Sequence, residues 1–180
     1  GIHALHMAGF ICDDHVTTLS ADFASTISSR VLEDDAMVNF RMSKGTVGRL
    51  WTSSVAIGRQ HGFDIQVFGE KGGIRWASEQ PNQLIYTRTG GRTEIIEKGE
   101  GGLHDEATRL SRVAIAHPEG FPLAVANIYC DLADAIRGQA RDGLPTAEDG
   151  CRSLAAVYAA VASAKDHGAW QEARPPMFSG

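Results

Sequence analysis

Histidine is the residue type with chemical reach in this sequence. The opening stretch GIHALHMAGF, Gly1 to Phe10, sets His3, His6, Met7 and Phe10 at positions i, i+3, i+4 and i+7 of a helix, so they share a face. An imidazole so placed can accept a proton from a substrate hydroxyl, because this ring changes charge near neutral pH. The His3/His6 pair also has the spacing of two metal ligands. A metal needs a third, however, and no Asp or Glu stands on that face, so no metal site is expected. The plainer role for both rings is a hydrogen bond against a sheet. His117 precedes Pro118 in AHPEGF, just ahead of a long helical segment. That puts it in a loop at the rim of a sheet, as a ligand contact or as a helix cap. His15, His61, His104 and His167 read as solvated turn or helix-end residues.

Other motifs are incomplete. The 20 glycines invite a search for a dinucleotide fingerprint, but neither Gly69-Glu-Lys-Gly72-Gly73 nor Gly99-Glu-Gly101-Gly102 has its spacing, and both read as hairpin turns. No Walker loop, His-Glu-x-x-His or Gly-x-Ser-x-Gly occurs. Composition narrows the class further. A net charge of -5, from 17 basic and 22 acidic residues, makes no footprint for nucleic acid. No apolar run reaches bilayer length, and the first helix lacks the basic start and small-residue cleavage site of a signal peptide, so neither membrane nor export is expected. Cys12, Cys130 and Cys151 are odd in number and far apart, which fits reduced thiols in a cytoplasmic protein.

The elements that must position these groups follow from periodicity. From His15 to Glu97 the pattern has a period of two. In AMVNFRM, Ala36, Val38, Phe40 and Met42 alternate with Met37, Asn39 and Arg41. Ser43-Lys44-Gly45 turns the chain, and TVGRLWTSSVAI resumes the alternation through Val47, Arg49, Trp51, Ser53, Val55 and Ile57. Leu19, Ala21, Phe23 and Ser25 line one strand face; Phe63, Ile65 and Val67 line another. IRWAS, NQLIYTR and RTEIIEK complete about six or seven strands with short connections, which argues for one open, mostly antiparallel sheet. After Gly102 the period becomes helical, with Phe121, Val125, Ile128, Leu132 and Ile136 on one stripe. Thr146 to Asp149 looks like a capping box opening a helix with Leu154, Val157, Tyr158 and Val161 on its apolar stripe. The expected class is therefore α+β, with helices on one sheet face, a single domain over residues 1–170, and an irregular tail over 171–180. Met37, Trp51 and Phe68 fall on the sheet's other face, where a partner subunit would cover them.

Four stretches carry more than periodicity: GIHALHMAGFI, VFGEKGGIRW, AHPEGFPLAVANIYCDLADAI and PTAEDGCRSL. In this order they resemble the C-terminal half of the glucose-fructose oxidoreductase/inositol dehydrogenase/rhizopine-catabolism (Gfo/Idh/MocA) family, over Gly1 to about Ala169.

The resemblance implies a parent with an N-terminal Rossmann domain for NAD or NADP, whose Glu-Lys-Pro lysine sits at the substrate, followed by an α+β domain. There an Asp-x-Gly-x-His segment opens a helix and its histidine is the acid/base. Gly1-Ile2-His3 matches the last three positions, so His3 inherits the catalytic role. The aspartate falls ahead of Gly1, and His6 stands where many members have aspartate. On this reading the chain begins mid-motif because it is the second half of a dehydrogenase acting on a secondary alcohol of a sugar or cyclitol. It would be inactive alone, with no NAD or NADP bound to it. Trp51, His117 and His6 are the candidate substrate contacts, and the open sheet face packs against its counterpart in a homodimer. The alternative is a free-standing sugar-binding, regulatory or dimerisation module on the same fold.

Overall fold

The computed structural model describes residues 1–139 and 143–175. Along the chain it forms α1 (Ile2–Cys12), β1 (Val16–Ala24), β2 (Asp35–Met42), β3 (Val47–Ser53), β4 (Asp64–Gly69), β5 (Gly72–Ala77), β6 (Gln83–Arg88), β7 (Thr93–Glu97), α2 (Asp105–Leu110), α3 (Phe121–Ile136), α4 (Ala147–Lys165) and β8 (Gln171–Glu172). These elements divide into two compact units, one of Gly1–Gly58 with Pro145–Gly180 and one of Arg59–Leu144. All strand pairs are antiparallel, as the α+β reading requires. The strands form not one sheet but two of four strands each, ordered β3-β2-β1-β8 and β4-β5-β6-β7. Alternation identifies a strand, whereas its neighbours are chosen by pairing that no local pattern encodes.

In the first unit the period of two sorts side chains as expected. Val38, Phe40 and Met42 of β2 are buried while Met37, Asn39 and Arg41 between them are exposed. Leu19 and Ala21 of β1 stand opposite Phe40 and Val38, and with Leu5, Ala156, Ala159 and Ala160 they make one apolar core. Gly48 of β3 pairs with Phe40. A Cβ there would fall inside the Phe40 ring, so the ring's seat requires glycine.

α4 opens on the expected capping box: the Thr146 hydroxyl accepts from the Asp149 N–H, and the Asp149 carboxylate accepts from the Thr146 N–H. Its buried face is not the expected stripe. Leu154 and Tyr158 are exposed, whereas Ala155, Ala156, Ala159, Ala160 and Ser163 are buried. Small side chains let the helix backbone approach the sheet closely, and the large ones are left outside. Beyond α4, Gln171–Glu172 pair with β1, so the segment expected to be irregular contributes a short strand; residues 176–180 lie outside the described residues.

In the second unit β4 to β7 form a meander, with Gly69 opposite Gly72 across a tight turn. The Gly99–Gly102 run is not a hairpin turn, since it connects β7 to α2. α3 also turns differently from its pattern. Phe121, Ile128, Leu132 and Ile136 are exposed at 43–82%, while Asn127 and Asp131 face inward. The Arg109 guanidinium on α2 holds Asp131 at 2.8 Å, and Asn127 Nδ2 donates to the Leu110 carbonyl at 2.8 Å. Polar ties on its other side thus orient the helix.

Candidate functional site

α1 is fixed at both ends, and this fixes where its histidines stand. Gly1 begins the helix close against β3: a Cβ on Gly1 would lie 3.5 Å from Thr52 Cγ2 and 3.8 Å from Leu50 Cδ2. Leu5 is buried one turn on, with Ala8 and Cys12 packed beneath. At the far end Asp13 takes the left-handed conformation, φ 46°, and the Lys44 ammonium lies 2.8 Å from its carboxylate. The neighbouring Asp14 carboxylate accepts from Ser43 Oγ at 2.5 Å, the Lys44 N–H at 2.9 Å and the His15 N–H at 2.7 Å. Burial alone would raise the Asp14 pKa, but these hydrogen bonds and the Lys44 charge outweigh it and hold it at about 2.

Leu5 points inward, so His3 and His6 point out; both are exposed. The expected hydrogen bond of both rings against the sheet is therefore not their role. They belong to one exposed side of α1, with Phe10 exposed as well. His6 lies near enough to Asp149 at the start of α4 to help lower that carboxyl, after the larger effect of the Thr146 hydroxyl and N–H. An exposed imidazole on a helix clipped to a sheet can take a proton from a bound alcohol without moving its scaffold. Among the described residues, no three His, Cys, Asp or Glu side chains converge on a point that could hold a metal ion.

Trp51 does not join this surface. Leu50 packs toward the core with α1, and strand alternation sends Trp51 to the opposite face. There it pairs with Met37, is 57% exposed, and donates from Nε1 to Asp35 Oδ1 at 2.9 Å. Met37 and Trp51 form an exposed apolar pair on that face, with Arg49 and Asn39 next along the two strands; Phe68, expected beside them, belongs to the sheet of the other unit.

His117 lies in the second unit, on the loop between α2 and α3. It does not cap α3, whose N-cap is Gly120. The ring lines a cavity of about 720 Å³ together with Gln80, Asn82, Gln83, Glu97 and Lys98. Three residues that the sequence reading passed over hold this loop. Glu119 accepts from the Arg112 and Val113 N–H groups, Lys98 Nζ stands 3.4 Å from it, and the Glu119 N–H donates to Asn82 Oδ1 at 3.2 Å. In sequence, Lys98 is the last charge of an alternating strand and Glu119 a charge beside a helix start. Nothing local distinguishes them from solvated residues.

Neither glycine turn offers a nucleotide cradle. One closes the β4–β5 hairpin and the other leads into α2, a helix of 6 residues. No helix among the described residues is long and apolar enough to cross a membrane, and Cys12, Cys130 and Cys151 are free thiols.

Residues 1–75 match the family model of the GFO/IDH/MocA C-terminal domain. The chain is 31% identical to the uncharacterized oxidoreductase YfiI of Bacillus subtilis (strain 168), over 94% of this chain and 46% of that protein. It superposes on an oxidoreductase from Sinorhizobium meliloti with a TM-score of 0.89 and 36% identity, covering 94% of this chain and 50% of the other. An inositol dehydrogenase homolog from Azotobacter vinelandii, solved with NADH and myo-inositol, gives a TM-score of 0.87 and 30% identity, covering 96% of this chain and 48% of that one. The chain thus spans about half the length of the relatives it matches. In its fold across 94–97% of the chain, and in the family model aligned on the segment that carries α1 and β1 to β3, this chain is similar to the C-terminal domain of the GFO/IDH/MocA oxidoreductases.

Proposed function

We propose that this chain is the substrate-side half of an NAD(P)-dependent dehydrogenase that oxidises a secondary alcohol of a sugar or cyclitol. The observation that carries the proposal is His3, exposed on the first turn of a helix anchored to the first sheet through Leu5, at the position that the sequence resemblance matches to the family's acid/base histidine. Likeness to the Azotobacter vinelandii homolog, solved with NADH and myo-inositol at 30% identity, supports the substrate class and the cofactor. The residues described do not fit a nicotinamide nucleotide, because of the two glycine-rich turns one closes the β4–β5 hairpin and the other leads into a helix of only 6 residues. The cofactor is therefore assigned to a separate Rossmann domain, and the chain alone is expected to be inactive.

What this chain contributes is the alcohol side. His3 accepts the hydroxyl proton as the carbon is oxidised, at a general-base contribution of ~10²–10⁴-fold. His6 stands one turn along the same exposed side and is assigned to substrate contact, and His117 to contact through the second unit. The working compartment is the cytoplasm, where three free thiols persist. The exposed pair of Met37 and Trp51 is assigned to a two-fold contact with a second copy, so that each side chain meets the same surface on its partner. That pair is also what favours the second reading, a free-standing binding or dimerisation module.

The test is NAD- and NADP-linked oxidation of myo-inositol, other cyclitols and aldoses, by this chain alone and by the chain preceded by a nucleotide-binding domain. The proposal expects turnover only in the second case. Absence of turnover with every alcohol, while the chain binds one of them, would favour the module.

A further inference from the structure

The loop that carries His117 is held in an unusual way: both its ends converge on one carboxylate. The Glu119 carboxylate accepts from the N–H groups of Arg112 and Val113, at the start of the loop, while Glu119 itself sits at the loop's end. The Lys98 ammonium, at the close of β7, lies 3.4 Å from the same oxygen and donates to the Val113 carbonyl at 2.8 Å. The Asn82 side chain accepts the Glu119 N–H at 3.2 Å, and the Asn82 carbonyl accepts the Lys98 N–H at 2.8 Å. The Glu119 and Lys98 side chains are 12% and 13% exposed, so this ion pair is shielded from solvent and from competing salt. Within the loop Ala116 is held at φ 66°, a left-handed conformation that a residue with a Cβ keeps only when its surroundings impose it.

The consequence falls on His117, the next residue. Its Nδ1 lies 3.2 Å from the Ile115 carbonyl oxygen. A carbonyl can only accept, so Nδ1 carries the proton, and in the neutral ring Nε2 is left as an acceptor. His117 lines the cavity, and its hydrogen bond is made through Nδ1, which leaves Nε2 uncommitted.

We propose that Glu119 is a positioning residue, whose carboxylate locks the 112–119 loop and so presents the His117 imidazole in its Nδ1-protonated form to accept a hydrogen bond from a ligand hydroxyl. This rests on the assignment of His117 to substrate contact. Glu119→Gln retains a carbonyl oxygen for the two N–H groups and loses only the charge pairing with Lys98. Glu119→Ala loses both.

Nitrogen and proton NMR of the histidine-labelled chain, with amide exchange at Arg112 and Val113, reads the loop; a myo-inositol titration followed at the His117 ring reads the site. The wild type is expected to show the Nδ1-protonated ring and protected amides. Glu119→Ala is expected to shift the ring toward the Nε2-protonated form that dominates in free solution, to lose amide protection at both positions at least tenfold, and to weaken myo-inositol binding at least tenfold. Glu119→Gln is expected to stay within about threefold of wild type, a rescue that a role in bulk packing would not give. If Glu119→Ala leaves the ring form and the amide protection unchanged, the inference is overturned. If the wild-type His117 ring does not respond to myo-inositol or any other polyol while the ring form follows the variants as stated, Glu119 remains the loop's anchor and the substrate-contact assignment is what falls. Lys98→Met supplies the second variant: it is expected to lower amide protection at Val113 with the fold intact, and no change there counts against the inference.

Discussion

Ser163→Ala removes one oxygen atom, yet the structure makes it an expensive change. Ser163 is fully buried, on the face of α4 that lies against β1. Its hydroxyl accepts from the Ala21 N–H at 2.8 Å and donates to the Ala169 carbonyl at 2.7 Å. Ala21 lies past the point where β8 stops pairing with β1, at Leu19. The Ser163 hydroxyl therefore completes an edge that the two-residue strand leaves open. Truncation strands the buried Ala21 N–H, at about 1–3 kcal/mol, whereas the carbonyl of the exposed Ala169 can turn to water, so the first unit should lose about 1–3 kcal/mol. For a unit of this size that lowers the melting temperature by on the order of 10 °C. Urea unfolding followed by circular dichroism measures it, with the slope m unchanged. Amide exchange at Ala21 should accelerate by more than its neighbours'. A loss below about 0.5 kcal/mol would refute the reasoning, because it would mean that water or a shifted backbone satisfies the Ala21 N–H.

Acid should act on the clip behind α1. The Asp14 carboxyl is held at about 2, below its ordinary 3.8, so it is ionised in both folded and unfolded chain above the ordinary value and favours the fold there. That contribution falls as pH drops from about 4 to about 2. The stability difference between wild type and Asp14→Asn is expected to be constant from pH 7 to about 4 and to shrink below that; a difference that grows on acidification would reverse the assignment. Trp51→Arg, which places charge beside the exposed Met37, should convert a dimeric mass to a monomeric one in light scattering at micromolar protein. A wild type that is already monomeric removes the sheet-to-sheet contact from the account. His6→Ala is expected to cost less turnover than His3→Ala in the two-domain enzyme; a larger kcat loss for His6→Ala would exchange their roles.

The elements were legible where one local signal decides them. AMVNFRM could bury only one set of alternate residues, and Val38, Phe40 and Met42 are that set. Thr146 and Asp149 announce a helix start whose hydrogen bonds are both present. The sides of the long helices were not legible. On α4 the largest apolar residues mark the wrong stripe, since close approach to β1 selects alanine and serine. On α3 an ion pair between Arg109 and Asp131, 22 positions apart, outweighs the apolar stripe. The division of the strands into two sheets is likewise nonlocal. For the site, residue type and order could nominate His3 and His117 only as candidates. The groups that fix their scaffolds, Asp14 and Glu119, could not be named, because each gains its meaning only from backbone N–H groups that folding brings to it. Trp51 was placed on a strand correctly, but its face separates it from His3.

The account rests most directly on His3. The decisive measurement is steady-state oxidation of myo-inositol and related polyols by this chain preceded by a nucleotide-binding domain, comparing wild type with His3→Ala. Circular dichroism and the unfolding midpoint serve as controls on the fold. The ring is exposed and makes no core contact, so the fold should be unchanged. kcat/KM with the preferred alcohol should fall by ~10²–10⁴-fold, the share of a lost general base. A His3→Ala enzyme that turns over at the wild-type rate would contradict the account, and proton transfer would then have to be sought at His6 or outside this chain.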